Sequence, residues 1–596
     1  MCNGSVAATG KPRVVDKTGR RQLPVGIESF DDVLRRFVYV DKSLAVRDLV
    51  LRGGVTLYCR PRRFGKSTFL RMLQCFFEAP AEGFVPDRSG LFEGLAISDD
   101  ADPLYMEQSC AHPVIYLNLA GCGDTTYEGA MSKIAGVVAQ EYARHRYLYA
   151  ASYLFPEEQE RFRRLTSRMA SEADLVGSLP WLSALLAQHH GSQTVILIDE
   201  CDTPVNDAHV HGFRHRMLDF YRSWLSDALK GTTSLYCAAL TGVLRVSQES
   251  IFSELNNVRF DTTLDRDHAE AIGFTADEAV ALAAYMGRGD SADEMAAWYD
   301  GYRFGGTEVY NPWSVLNYLY SGEAQPYWTN TSRNGIVIDL IRHAGEDQTS
   351  ELATLAGGGT ISKPLDLRTV FDDLAENPEA VWPQLYQAGY VTTDDTGFPN
   401  DDAKLRRLHI PNQEVRRLFG KELLARATRL AGSEVRLRAL HRAVAGSDAE
   451  GAQDVLRRIL LDSPSYHDLV DEGDYHVLLL ALLYSVPGYH PATSNRESGD
   501  GRADVLLEPL PGEVDGLPAI AMELKLDKGA DGDEVRLSVC ARDVALAQAD
   551  RLGYGHGLDG SGLVRWGIAF CGKHVACVCE RRHSGNGLDR SHHAQG

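Results

Sequence analysis

The sequence predicts an α/β fold whose first region, 21–265, is a mostly parallel sheet with helices on both faces. In this region short apolar, β-branched runs alternate with tracts of helical periodicity. Such alternation is typical of parallel sheets, because the chain must cross the sheet between parallel neighbours. We expect a mainly helical middle region over 266–430 and a C-terminal α/β domain over 431–580. The polar ends, 1–20 and 581–596, are expected to be disordered tails.

Composition limits the classes of function. The chain has 596 residues, of which 44% are hydrophobic and 24% are charged, values that fit a globular protein with several domains. The formal net charge of −21 disfavours generic binding to nucleic acid, because polyanions repel each other. A local basic cleft would still be compatible with such a partner.

The cysteine distribution and the hydropathy of the chain bear on its compartment and on membrane association. The eleven cysteines are scattered without a paired framework, which favours a reducing compartment. The N-terminal residues lack the apolar stretch of a secretory signal, and no apolar run is long enough to span a bilayer. We therefore expect a cytoplasmic protein without a membrane partner.

The segment Val55–Phe69, VTLYCRPRRFGKSTF, has the order strand, turn, helix that is typical of phosphate binding. Gly65 allows close approach of an anion, Lys66 supplies a positive charge, and the Ser67 hydroxyl can ligate Mg²⁺. The first N–H groups of the following helix would point at the same anion. The P-loop pattern G-x-x-x-x-G-K-[ST] has glycine where this chain has Arg60, so an ordinary basic turn stays an alternative for this segment alone.

A second segment, Thr194–Glu200, supports the nucleotide interpretation. Its sequence TVILIDE predicts a buried strand that ends in two carboxylates. In P-loop NTPases an aspartate at this place holds Mg²⁺, and a neighbouring glutamate can polarise the attacking water, which gives Asp199 and Glu200 these roles. A strand that ends at a solvated acidic turn is the alternative. Together with Lys66 and Ser67, the segment predicts a site for ATP and Mg²⁺.

Thr241 and Arg245 follow another predicted buried strand, in the sequence CAALTGVLR. Thr241 can contact the γ-phosphate or the attacking water, and Arg245 can bind the charge of the nucleotide. Spacing alone slightly favours the simpler alternative, a strand-to-helix turn with the arginine on a solvated face.

The C-terminal region carries a different set of charged residues. Glu497 precedes a predicted hairpin, Asp504 lies early in its first strand, and Glu523 and Lys525 lie in its second strand. Residues two apart share one face of a strand, and two carboxylates with a lysine can bind Mg²⁺ and orient a water for phosphodiester hydrolysis. An amphipathic hairpin with a salt-bridged outer face is the alternative.

Several longer motifs occur in one order along the chain: RPRRFGKS, VILIDECDTPV, ALTGVLRVSQESIFSELNN, YDGYRFGG followed by YNPWSVLNYL, and IPNQEV. Together they resemble the AAA-ATPase-like proteins that carry a C-terminal domain of the PD-(D/E)xK nuclease superfamily. The resemblance implies a P-loop NTPase sheet and a nuclease-like C-terminal domain, with Arg60 as part of the family's normal loop.

The resemblance also implies roles for individual residues. It assigns ATP contacts to the whole loop, namely Arg60, Pro61, Arg62, Arg63, Phe64, Gly65, Lys66, Ser67 and Thr68. It assigns Asp504, Glu523 and Lys525 to the nuclease-like core and Glu497 to the acidic position before Gly-Asp-Gly-Arg. Gln548 and Tyr554 match a late helix pattern of the same domain.

Three hypotheses about function follow. The leading hypothesis is an ATP-binding and ATP-hydrolysing protein whose nucleotide state gates a Mg²⁺-dependent nuclease-like domain that acts on DNA or RNA. The alternative is a nucleotide-switched binding or signalling module with an inactive nuclease-like fold, which the charge of −21 slightly favours. A remodelling ATPase acting on protein has no substrate-binding signal in the sequence. Whether the chain forms a homo-oligomer stays open.

Overall fold

The computed structural model describes residues 12–150, 154–230, 233–243, 257–331, 346–367, 378–395, 405–462, 471–490, 492–493, 496–498, 501–510, 517–553 and 562–582. The chain divides into two compact units. The first consists of Met1–Ser332 and Ser362–Glu414, and the second of Arg333–Ile361 and Val415–Gly596.

The first unit contains short and medium strands that form four sheets. They are β1 (Val14–Val15), β2 (Tyr39–Val40), β3 (Gly54–Cys59), β4 (Val114–Asn118), β5 (Thr194–Asp199), β6 (Leu235–Gly242), β7 (Val258–Asp261), β8 (Phe274–Thr275), β9 (Tyr302–Phe304), β10 (Thr307–Tyr310), β11 (Ile361–Pro364), β12 (Thr392–Thr393) and β13 (Leu405–His409).

Helices connect these strands. They are α1 (Phe30–Arg36), α2 (Ala45–Arg52), α3 (Lys66–Phe77), α4 (Pro103–Met106), α5 (Tyr127–Arg144), α6 (Pro156–Thr166), α7 (Glu172–Val176), α8 (Ser178–His190), α9 (Thr203–Val210), α10 (Arg214–Leu229), α11 (Ala276–Tyr285), α12 (Ala292–Tyr299), α13 (Pro312–Ser321) and α14 (Tyr327–Thr331). Helix α15 (Glu346–Ala356) belongs to the second unit, and α16 (Val381–Gln387) to the first.

The central sheet of the first unit has five strands in the order β4-β5-β6-β3-β7, and every pair is parallel. Leu57 faces a cluster that includes residues of α5, α8 and α10. The next residue, Tyr58, contacts Phe69 of α3 at a ring distance of 5.1 Å. Because successive side chains of a strand point to opposite faces, helices cover both faces of the sheet, as the sequence predicted.

The middle region contains more sheet than the sequence predicted. The motif YDGYRFGG is an antiparallel hairpin in which β9 and β10 are joined at Gly305 and Gly306, and β8 pairs with β10. Both glycines have positive φ, 55° and 99°, as a two-residue type I′ turn requires. These strands have only two to four residues, too few for their alternation to be distinguished from loop sequence.

The N-terminal segment also contains ordered backbone. Val14 and Val15 pair antiparallel with Val40 and Tyr39 within the stretch that composition marks as a polar tail. Residues 1–11 and most of the predicted C-terminal tail lie outside the described residues.

The second unit combines helices with a mixed sheet. Its helices are α17 (Gln413–Ala431), which begins in the first unit, α18 (Glu434–Ala445), α19 (Ala449–Asp462), α20 (Glu472–Leu483), α21 (Glu534–Val539), a π-helical turn over Cys540–Leu546, and α22 (Ala547–Arg551). Its strands are β14 (Arg496–Ser498), β15 (Gly501–Ala503), β16 (Val505–Leu507), β17 (Ala519–Leu526), β18 (Leu563–Cys571) and β19 (His574–Arg582).

The predicted C-terminal hairpin is confirmed. Val505 pairs with Met522 in an antiparallel ladder between β16 and β17. Strand β18 then runs parallel to β17, and β19 runs antiparallel to β18. At Gly567 the π-helical turn lies so close that an added Cβ would be 2.1 Å from the carbonyl oxygen of Ala541. Glycine at this position therefore lets the helix pack directly on the sheet.

Candidate functional site

The predicted phosphate loop lies between β3 and α3, at the carboxyl edge of the parallel sheet. Gly65 is the residue before the helix and adopts a left-handed conformation with φ of 96°, and Arg63 is left-handed as well, with φ of 69°. No side chain of the described residues caps the first turn of α3. The first N–H groups of this 12-residue helix are therefore open to an anion.

Lys66 is buried at the start of α3 and points back into the loop. Its Nζ donates to the carbonyl oxygens of Arg60 at 3.0 Å and Pro61 at 2.9 Å. Burial lowers the pKa of Lys66, and the negative charges of Glu200 and Asp202 oppose that change. The ammonium group thus lies between the loop backbone and the carboxylates that follow β5.

Arg60 is directed away from the mouth of the loop. Its guanidinium is fully buried, with Nη2 2.5 Å from Oδ1 of Asp261 and Nη1 2.9 Å from the Asp261 carbonyl oxygen. Nη2 also donates to the carbonyl oxygen of His268 at 3.2 Å, and the guanidinium lies 5.2 Å from the ring centre of Phe304. The side chain braces the loop from inside the protein, and the backbone N–H of Arg60 donates to the carbonyl oxygen of Gly242 at 3.1 Å.

Two further loop residues point into the protein. Phe64 is buried against Tyr302, with ring centres 4.9 Å apart in an edge-to-face arrangement. Pro61 lies against Gly389, where an added Cβ would be 2.9 Å from the proline ring. The loop is thus fixed by the middle region of the same unit.

The remaining loop side chains are accessible. The guanidinium of Arg63 lies 4.3 Å from the ring centre of Trp313, and Arg62 forms no ion pair with any described residue. Ser67 and Thr68 are half-buried in the first turn of α3. Contact between these four side chains and a nucleotide stays a prediction.

Asp199 and Glu200 lie at the carboxyl end of β5, which is separated from β3 by one strand, β6. The Thr241 hydroxyl of β6 donates from Oγ1 to Oδ1 of Asp199 at 2.5 Å. Oγ1 of Thr241 also accepts the backbone N–H of Glu200 at 3.1 Å. The hydroxyl of Thr241 therefore fixes the acidic pair, and its contact with the γ-phosphate or the attacking water stays a prediction. Glu200 has a φ of 47°, a conformation that is strained for a residue with a side chain.

Asp202 is a buried third carboxylate near Lys66 that the sequence argument did not use. Its Oδ2 accepts the backbone N–H of Val243 at 2.9 Å and thereby connects the end of β5 to the end of β6. The spacing D-E-x-D gives a sequence signal for it. Arg245, the other predicted nucleotide contact after β6, lies outside the described residues.

An apolar cavity adjoins Gly65 and Thr68. Its lining comes from four segments of the first unit that are distant in the sequence, and it includes Ile27, Val38, Val40, Phe274 and Leu316. Because no local pattern connects these segments, sequence reasoning missed this cavity.

In the second unit, the pairing of β16 with β17 brings Asp504 close to Glu523 and Lys525. Lys525 Nζ donates to Oε1 of the buried Glu523 at 2.8 Å, and Oδ2 of Asp504 accepts the backbone N–H of Leu524 at 2.7 Å. Burial raises the pKa of Asp504, partly opposed by the Leu524 hydrogen bond. Burial lowers the pKa of Lys525, but its hydrogen bond and charge interaction with Glu523 outweigh burial and raise it overall.

Two further side chains belong to this cluster. Gln548 of α22 donates a short hydrogen bond to Oε1 of Glu523. Glu472, at the start of α20, lies 3.5 Å from Lys525 Nζ and accepts the backbone N–H of Leu526 at 2.9 Å; sequence reasoning missed it. Glu497 lies in β14 opposite Arg502, but its side chain and Tyr554 are outside the described part of the chain.

Metal ligation stays a prediction for both sites. Among the described residues, no three histidine, cysteine, aspartate or glutamate side chains are arranged as a metal-binding group. Serine, backbone and nucleotide oxygens are the other ligands that Mg²⁺ uses in phosphoryl-transfer sites. Of the described helices, none has the length and apolar character needed to cross a membrane.

Comparison with known proteins supports the first of these sites. Residues 24–252 match the AAA-ATPase-like family, described as "Predicted AAA-ATPase". The match covers less than half of the chain, and the predicted phosphate loop, Asp199 and Glu200 all lie within the matched residues. The second unit lies outside the matched residues, so its nuclease-like character stays a prediction.

Two individual proteins are similar to this chain. One is from Azotobacter chroococcum mcd 1 and is described as an uncharacterized protein in the vnfD 5′ region; it is 28% identical over 410 residues, covering 68% of this chain and 70% of the relative. The other is the crystal structure of a Signal Transduction ATPase with Numerous Domains (STAND) protein with a tetratricopeptide repeat sensor, from Pyrococcus horikoshii. That match has a TM-score of 0.23 and 12% identity, and it covers 75% of this chain and 53% of that chain, about half its length.

Proposed function

We propose that the first unit binds ATP with Mg²⁺ at the loop Arg60–Thr68 and hydrolyses it. The observation that carries the proposal is the position of Lys66, buried between the loop backbone and the carboxylates after β5. A buried lysine at the first position of an uncapped helix is suited to a phosphate chain. The family match over residues 24–252 supports the same activity.

The residues present fit a magnesium nucleotide. Ser67 and Asp199 are the oxygen donors that would hold Mg²⁺, which when bound neutralises charge on the phosphates. Thr241 holds Asp199 in one orientation through its 2.5 Å hydrogen bond. Glu200, next along the strand end, is the residue we assign to orient and deprotonate the attacking water.

The apolar cavity beside Gly65 and Thr68 is suited to bind the purine base of ATP. Its wall includes the side chains of Ile27, Val40 and Leu316, and a base can be packed between such apolar groups. The cavity adjoins the same turn of α3 as the phosphate loop, so one ligand can use both.

Calorimetric titration of ATP and Mg²⁺ into the full chain tests this function. Lys66→Ala is expected to abolish measurable binding, and Lys528→Ala, which removes an exposed lysine of the second unit, should bind like the unmodified protein. Equal ATP affinity in Lys66→Ala and the unmodified protein would show that the loop is not a nucleotide site.

A second candidate function, Mg²⁺-dependent phosphodiester hydrolysis, is favoured by the cluster in the second unit. Glu523, Lys525 and Asp504 converge around the edge of β17 through hydrogen bonds of 2.7–2.8 Å. A lysine paired with a buried carboxylate can orient a water beside a metal ion. We propose that the nucleotide state of the first unit gates this site.

Cleavage assays on plasmid DNA and on RNA test the second function, with Mg²⁺ and with or without ATP. Asp504→Ala and Glu523→Ala should lose cleavage, the exposed control Glu450→Ala should retain it, and Lys66→Ala should lose its dependence on ATP. If the unmodified protein cuts neither substrate but shows an ATP-dependent change in partner binding, the alternative of a nucleotide-switched binding or signalling module is correct.

A further inference from the structure

A basic cleft lies on the first unit, formed by the segment after β1 and the end of α1. It has a volume of about 490 Å³ and is lined by Thr18, Arg20, Gln22, Arg35 and Arg36. The cleft and the apolar cavity beside the phosphate loop have no lining residue in common. Three arginines lining one cleft are unexpected in a chain with a net charge of −21.

The first wall of the cleft is a preformed turn. Asp16 accepts hydrogen bonds from the backbone N–H groups of Thr18, Gly19 and Arg21, each at 2.9 Å, and from the hydroxyl of Tyr285 at 3.0 Å. Desolvation raises the pKa of Asp16, but these hydrogen bonds outweigh it and lower the pKa to about 2. The carboxylate stays ionised and its oxygens are occupied, so the turn holds its shape without using Arg20.

The charges of the cleft are only partly neutralised. Arg35 pairs with Asp31 of the same helix at 2.5 Å. No described residue forms an ion pair or a hydrogen bond with the guanidinium of Arg20 or Arg36, and the side-chain amide of Gln22 has no described partner either. The guanidinium of Arg36 lies over the ring of Phe37, 5.6 Å from its centre, a contact that leaves its N–H donors open. Two guanidinium groups and one amide therefore remain as hydrogen-bond donors for a ligand.

A purely structural role explains only part of this arrangement. Arg35 and Arg36 lie in the last turn of α1, where positive side chains stabilise the helix dipole. Arg20 and Gln22 belong to a different segment and do not lie at the end of a helix, yet they line the same cleft.

We propose that this cleft is a second anion site that binds a small, phosphate-rich ligand. The planar fork of arginine donates paired hydrogen bonds to phosphate oxygens, and several such groups suit a di- or triphosphate. None of the five lining side chains is aromatic, so bases of a nucleic acid could stack in the cleft only on the guanidinium planes of its arginines. The overall negative charge also opposes a long polyanion. The proposal does not depend on the ATP site.

Titration calorimetry with inorganic tripolyphosphate tests the proposal. It is performed without Mg²⁺ and on full-length Lys66→Ala protein, so that the phosphate loop does not contribute. Introducing Arg20→Gln and Arg36→Gln into the Lys66→Ala protein should weaken tripolyphosphate binding about tenfold or more. This is the loss expected when charge-assisted hydrogen bonds are removed. Arg146→Gln, an exposed arginine outside the cleft, is the matched control and should bind like Lys66→Ala itself.

Three other results would contradict the proposal. Absence of tripolyphosphate binding to Lys66→Ala, or binding that is unchanged by Arg20→Gln and Arg36→Gln, would show that the cleft is not an anion site. If a single-stranded oligonucleotide binds more tightly than tripolyphosphate, and this binding depends on Arg20 and Arg36, the ligand of the cleft is a nucleic acid and not a small anion. Thermal unfolding of each variant, unchanged within a few degrees, verifies that these surface substitutions leave the fold intact.

Discussion

Arg60 and Asp261 form an ion pair that is closed to solvent, with the guanidinium Nη2 2.5 Å from the carboxylate Oδ1. The arginine occupies the first position of the phosphate loop, and the aspartate ends β7, the neighbour of β3. The residue that interrupts the usual glycine pattern therefore fastens the loop to the next strand of the sheet.

Breaking this pair from one side is expected to destabilise the first unit. Arg60→Met removes the guanidinium from the buried Asp261 carboxylate and leaves it with His268 Nε2, 3.5 Å from Oδ2. We expect a loss of about 3–5 kcal/mol in the free energy of unfolding. Chemical denaturation of Arg60→Met, Asp261→Leu and the double variant measures the coupling. The double variant should recover part of the loss, and strictly additive effects would mean that the two side chains do not stabilise each other.

Thr241 is expected to control turnover more than binding. Thr241→Val keeps the shape of the residue but removes the hydroxyl that holds Asp199 and accepts the N–H of Glu200. We expect kcat for ATP hydrolysis to fall about 10- to 100-fold while the Kd for ATP changes little, because the geometry of the acidic pair matters most in the transition state. Thr241→Ser, which keeps the hydroxyl, should retain most of the activity. A larger effect on Kd than on kcat would contradict this role.

The apolar cavity beside the loop is expected to bind the base. Leu316→Glu places a carboxylate in its wall and should weaken ATP binding about tenfold, because a charged group would have to be buried against the ligand. Leu316→Met conserves the apolar character and should leave the affinity within about twofold. Fluorescence titration with a labelled ATP analogue measures both. Equal affinities in the two variants would exclude the cavity from the nucleotide site.

Glu414 is expected to make stability depend on pH. Its Oε2 accepts from the Ser314 hydroxyl at 2.8 Å, and its Oε1 accepts the N–H of Trp328 at 2.5 Å. Burial raises the pKa of Glu414 to about 7. Because the folded form binds this proton more tightly than the unfolded form, its contribution is fully present below about pH 4.5 and is lost as pH rises to about 7, a loss of roughly 3 kcal/mol.

Glu414→Gln provides the measurement. The variant cannot ionise, so its Tm should exceed that of the unmodified protein at pH 8, and the difference should shrink at pH 5. The exposed control Glu450→Gln should show the same pH dependence as the unmodified protein. A Tm difference that is equal at both pH values would assign the pH dependence to other groups.

Much of the first unit could be predicted from local patterns. The continuous apolar run before Asp199 marks a buried parallel strand, and the Gly65-Lys66-Ser67 turn marks the start of a helix. The two-residue repeat of β17 likewise placed Glu523 and Lys525 on one face, because a strand fixes that geometry whatever surrounds it.

Partners that are distant in the sequence could not be predicted. Asp261 is 201 residues from Arg60, and no local spacing connects them. The cavity beside the loop is formed by four separate segments, so its existence depends on tertiary packing. Thr241 lies next to Asp199 only because β6 lies between β3 and β5, a strand order that the sequence does not display.

The stacking of Arg63 on Trp313 gives the protein a natural optical reporter. A guanidinium 4.3 Å from the indole centre alters the surroundings of that fluorophore. If a triphosphate attracts Arg63 away from the ring, the emission of Trp313 changes at the moment the loop is filled. Comparing the intrinsic fluorescence of the unmodified chain with that of Trp313→Phe would then allow the kinetics of loop occupancy to be followed without a label.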